Sequence, residues 1–100
     1  MEIQTIQYQR RLDDKGYVSI KTENGWIREH IFIVQESIKR ELTKDEVVHH
    51  IDGNKQNNDI ENLVIFPNQK EHSHFHRQVR QHGMTNPRIR QIQELKLKMI

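Results

Sequence analysis

One hundred residues, a third of them apolar and 30% charged, suit a single domain with a modest hydrophobic core. No apolar stretch nears the ~20 residues that cross a bilayer, and the N-terminus lacks the apolar run and cleavage pattern of a secretory leader. Cysteine is absent, which excludes disulfides and thiolate-bound zinc and suits a reducing, cytoplasmic setting. The net charge of +2 is unevenly spread: residues 69–100 hold seven Lys or Arg against two acids, while residues 1–68 hold nine against twelve. A basic C-terminal third suits a polyanionic partner, although a solvated helix surface has the same composition.

In chain order, Ile3, Ile6, Tyr8 and Leu12 give residues 3–12 a loose alternation that predicts a strand. Asp13-Asp14-Lys15-Gly16 carries turn chemistry, and Tyr17–Lys21 reads as the returning strand. Asn24-Gly25 is a strong hairpin signal, so a small antiparallel sheet is expected, with Trp26 as part of its packing. From Ile27 the period changes: Ile27, Ile31, Val34, Ile38 and Leu42 form the stripe of an amphipathic helix over 27–42. Residues 46–49 follow as a short strand.

The stretch 52–58 is rich in Gly and Asn and reads as an irregular loop, with Asp52 as a turn residue. Residues 63–66 form a second strand, stopped by Pro67. Asn68 is placed to cap a helix over 69–82, and Gly83 to end it. Thr85-Asn86-Pro87 starts a last helix, whose apolar side is Ile89, Ile92, Leu95 and Met99. The expected class is α+β in one domain: an N-terminal sheet and helix over 1–45, a strand–loop–strand–helix unit over 46–82, and a basic helix over 84–100.

Five of the seven histidines lie between His49 and His76. His72 and His76, four apart on one helix, share a face, whereas His74 projects to the other side. Phe75 and Val79 flank the shared face and should pack it on the strands. An i,i+4 histidine pair alone is often an accidental surface feature. The pair His49-His50 upstream turns it into a candidate metal site. Neighbouring strand residues point to opposite faces, so His49 and His50 should divide the work, and the spacing does not say how. His82 sits where a helix dipole favours it. Arg28 and His30, at the start of the long helix, suit an ion pair with Glu29 or Asp45 as well as contact with a polyanion.

The run His49-His50-Ile51-Asp52-Gly53-Asn54, then Asn62-Leu63, then His72-Ser73-His74-Phe75-His76 resembles the HNH signature of stand-alone, phage-type HNH endonucleases. The resemblance extends upstream through Glu29-His30, Arg40–Thr43 and Glu46–Val48. It implies a ββα-metal fold in which His49 and His72, with His76, hold one divalent ion and His50 is the general base. Asn62 takes the middle position of the motif, its amide orienting the loop that carries the base. The ion would be Mg²⁺ or Mn²⁺ in catalysis, and the nitrogen-rich site also suits Zn²⁺ or Ni²⁺.

The function this implies is hydrolysis of DNA phosphodiester bonds, by nicking or double-strand cleavage, to 5′-phosphate and 3′-hydroxyl ends. Arg77, Arg80, Arg88 and Arg90 are the candidate phosphate contacts. The setting implied is the cytoplasm of a bacterial host, with no membrane partner and either a monomer or a homodimer. Two other classes compete, a DNA-binding or packaging accessory module that does not cleave and a domain whose metal is structural. A free base beside a metal argues against the first, and a histidine-only structural site is unusual.

Overall fold

The computed structural model describes residues 8–100. It is an α+β domain with two small antiparallel sheets and three helices. The first sheet joins β1 (Arg10–Leu12), β2 (Val18–Thr22) and β3 (Gly25–Arg28) in sequence order. Of the strand expected over 3–12, the segment up to residue 7 lies outside the described residues.

The β1–β2 turn closes as its residues dictate. The Asp13 carboxylate accepts from the amides of Lys15 and Tyr17, both at 2.9 Å, and Gly16 takes φ +88°. In the next hairpin the two loop residues are Glu23 and Asn24, and Gly25 opens β3 at φ +103°. The glycine thus supplies the positive dihedral after the loop, not within an Asn-Gly pair.

The helix expected over 27–42 is shorter. α1 spans Glu29–Ile38, because Ile27 pairs with Ile20 across the sheet; its apolar side chain serves a strand as well as a helix. At the other end Lys39 turns left-handed at φ 61°, and the Gln35 side chain accepts the Leu42 amide at 2.9 Å. Leu42 therefore reaches the core from outside the helix.

β4 (Val47–His50) and β5 (Leu63–Phe66) form the second sheet, with His50 opposite Leu63 and His49 opposite Val64. A short 3-10 helix, Ile60–Asn62, leads into β5. All four β5 residues are buried, so this strand is packed on both faces. α2 (Gln69–His82) begins at Asn68, whose side chain accepts the Glu71 amide at 2.8 Å, and ends at Gly83. α3 (Asn86–Leu97) follows with Pro87 in its first turn. Val34, the β5 residues, Phe75, Ile92 and Met99 make one core. α3 is thereby a packing element as well as a basic one.

Candidate metal centre and base site

Strand alternation separates the two adjacent histidines. The His49 ring meets Phe66, Phe75, His72 and His76, while the His50 ring meets His30 and Tyr17. Phe75, 3% exposed, anchors α2 against β5, and Val79 packs on the same core. That anchoring turns His72 and His76, one helical turn apart, toward His49.

Three ring nitrogens converge. His72 Nε2 lies 3.0 Å from His49 Nδ1 and 2.9 Å from His76 Nε2, and the ligand atoms of the three residues all fall within 4.8 Å of one another. A ring nitrogen has a single in-plane position, a lone pair or an N–H, so His72 Nε2 cannot make two good hydrogen bonds there. Three lone pairs around one cation satisfy the arrangement better. Nitrogens bound to zinc at tetrahedral angles sit about 3.3 Å apart, close to the distances found.

Electrostatics favour the neutral rings that a cation needs. Burial, then His72, His76 and His50, pushes the His49 imidazole down to about 4. Burial and His76 also lower His72. His72 Nδ1 is buried without a partner. The residues present thus fit a divalent ion held by His49, His72 and His76. His74 is exposed on the outer side of α2.

On the other face His50 Nε2 lies 2.7 Å from Asn58 Oδ1. The Asn58 amide donates to Glu29 Oε1 at 2.9 Å, and Glu29 in turn pairs with the Arg10 guanidinium. From the sequence, Asn58 reads only as a loop residue and Glu29 as an ion-pair candidate. No local signal marks either one, since the partners are 8 and 29 residues apart.

Asn62 bonds within the loop that follows His50. Its Oδ1 accepts the Asp52 amide at 3.0 Å, and its Nδ2 donates to Asp52 Oδ1 at 2.8 Å and to the Asn57 carbonyl at 2.9 Å. Asp52 also accepts from Asn57 Nδ2 and the Asn54 amide. These bonds hold its carboxyl below the usual range. Its role is loop closure, and it is not one of the clustered ligands.

Three peripheral expectations change. Trp26 is 39% exposed, not core, because it stands on the outer sheet face under the Arg11 guanidinium, 4.1 Å from its ring centre. Arg28 pairs with Asp13 at 3.3 Å and lies over Tyr17, instead of meeting Glu29 or Asp45. His30 is buried, stacked on Tyr17, and desolvation, followed by His50 and Arg28, pushes it down to about 4. Arg77, Arg80 and Arg90 are exposed, and half-buried Arg88 bonds Gln91 at 2.8 Å.

The strand–loop–strand–helix unit is a ββα hairpin whose histidines, converging from a strand and a helix, could hold a metal ion. Residues 40–73 match the family model described as HNH endonuclease. The match includes His49, His50, Asn62 and His72 and stops short of His76. No curated protein and no solved structure matches the chain. Among the described residues no helix is long and apolar enough to cross a membrane.

Proposed function

We propose that this protein is a metal-dependent DNA endonuclease that hydrolyses phosphodiester bonds with His50 as general base. One observation carries the reading: adjacent β4 residues are committed to different environments, His49 to a three-imidazole cluster and His50 to a separate hydrogen-bonded pocket. A structural metal site has no use for the second.

A divalent ion held by His49, His72 and His76 would supply positive charge against the scissile phosphate and the departing 3′ oxygen. His50 takes the proton from the attacking water as its oxygen bonds to phosphorus and the P–O3′ bond breaks. The departing 3′ oxygen takes its proton from solvent, so the products are a 5′-phosphate and a 3′-hydroxyl. Asn62 braces the loop after His50 so that the ring keeps its place. Arg77, Arg80, Arg88 and Arg90 supply phosphate contacts on the DNA strands, giving affinity with little base reading.

The test is incubation of supercoiled plasmid with the protein and Mg²⁺, Mn²⁺, Ni²⁺, Zn²⁺ or chelator. Relaxed circles show nicking and linear product shows double-strand cleavage. His50→Ala should lose about 10²–10⁴ in rate while its metal affinity, read by calorimetry, stays that of the parent. DNA binding without cleavage under every metal would favour an accessory module instead.

A further inference from the structure

Resting on the reading of His50 as the base, we propose that Asn58 and Glu29 form a positioning relay that holds His50 as its Nε2–H tautomer and presents Nδ1 as the proton-accepting nitrogen. The relay is buried: His50 and Asn58 are each 7% exposed and Glu29 is 8% exposed. Its polarity follows from donor and acceptor bookkeeping alone. A carboxylate paired with a guanidinium only accepts, so the Glu29 end of Asn58 must be its NH₂ group, as found at 2.9 Å. That leaves the amide oxygen facing His50 Nε2 at 2.7 Å. An oxygen there requires a hydrogen on Nε2, and a neutral imidazole then has its lone pair on Nδ1.

Rotating the amide by half a turn would set its oxygen against the Glu29 carboxylate with both acceptors buried, a costly arrangement. Glu29 therefore acts on His50 through Asn58 without touching it. The interposed amide matters chemically. A neutral amide passes on the orientation set by Glu29 and leaves the Nδ1 lone pair as the accepting one. Arg10, on β1, holds the far end of the relay. This gives the N-terminal sheet a role in the site.

Glu29→Gln, nearly the same shape, tests this directly. Its amide can donate as well as accept, so Asn58 can turn over and offer its NH₂ to a bare Nε2. Long-range ¹H–¹⁵N spectra of the Zn²⁺-loaded protein, with His50 assigned by comparison with His50→Ala, read the tautomer without any cleavage. The wild type should show His50 protonated at Nε2 only, and Glu29→Gln should shift a measurable fraction to Nδ1–H. With Mg²⁺, Glu29→Gln should lose about tenfold or more in kcat, in line with the cost of a wrong tautomer elsewhere, at unchanged KM and metal affinity.

Asn58→Ala should randomise the tautomer and serves as the second variant should the first misfold. A wild-type His50 protonated at Nδ1, or the same tautomer in the parent and both variants, would overturn the relay. Should His50→Ala still cleave, the base assignment fails instead, while the tautomer spectra still decide the relay.

Discussion

His72 is the imidazole on which the proposed metal site turns, since its Nε2 is the atom that approaches the ring nitrogens of both His49 and His76, at 3.0 and 2.9 Å. His72→Ala leaves His49 and His76 as a pair with no ring between them. Loss of a residue that merely supports a ligand weakens metal binding about 10–100-fold, so loss of the ligand itself should cost about 100-fold or more. The consequence can be read as stability. At a metal concentration 100 times its Kd the wild type gains about 2.7 kcal/mol. A variant binding 100-fold more weakly gains about 0.4 kcal/mol at the same concentration by the same relation. For a domain of this size 1 kcal/mol moves Tm by about 4–8 °C. Zn²⁺ should therefore raise the wild-type Tm by more than about 10 °C and that of the variant by about 3 °C or less. His74→Ala, altered on the outer side of the same helix, should keep the full shift. Equal Zn²⁺ shifts in the three proteins would refute the ligand face.

Asn62→Ala should lower cleavage without abolishing metal binding, and should destabilise the fold by about 1–3 kcal/mol because the Asp52 and Asn57 partners lose their bonds; an unchanged Tm would contradict its bracing role. Stability of the metal-free protein should be complete above the ordinary histidine value near 6.5 and fall as pH drops toward 4, because His30 and His49 are each held down to about 4 and the unfolded chain takes up the protons first. His30→Phe should flatten that fall by up to about 1.4 kcal/mol per pH unit, and identical pH profiles of Tm would argue against it. Replacing Arg77, Arg80, Arg88 or Arg90 singly by Ala should reduce the slope of log affinity for duplex DNA against log salt by about 0.9 for each phosphate that is no longer neutralised, and an unchanged slope would remove that arginine from the interface.

Local chemistry made the second half of the chain legible. Pro67, the Asn68 cap and Gly83 set the bounds of β5 and α2, and each acts on its immediate neighbours. The i,i+4 histidines needed only a helix to share a face, and Phe75 supplied the rotation that turns them inward. The first half was less readable because its apolar residues serve two periods: Ile27 fits the helix stripe and the strand equally well. Trp26 looked like core by size alone, yet strand pairing put it opposite Lys21 on the outer face. The relay through Asn58 and Glu29 was illegible for a different reason. It exists only after the loop, α1 and β1 are brought together, and nothing in their sequences encodes that meeting locally.

The same distinction explains why the family segment comes with flanks. Residues 40–73 are fewer than the ~40 below which a domain usually needs disulfides, metal or partners to fold, and the chain has no cysteine. The missing apolar mass comes from either side: Val34 from α1, and Ile92 and Met99 from the C-terminal segment, all in one cluster with β5. Polar tethers from both flanks then act on the His50 side of the site. Arg10 of β1 holds Glu29, and through it Asn58 and His50. Lys96 of α3 donates to the carbonyls of Ile60 and Leu63 at 2.8 and 2.9 Å, which bracket Asn62 at the end of the 3-10 helix. The Ile60 carbonyl also accepts the Leu63 amide, so the lysine adds a second bond there and ties α3 to the chain on either side of Asn62. A basic residue on α3 is thus not automatically a DNA contact. Lys96 is committed to the fold, and on the proposed reading the charge left for phosphate lies with Arg88 and Arg90 on that helix and exposed Lys98 just past its end.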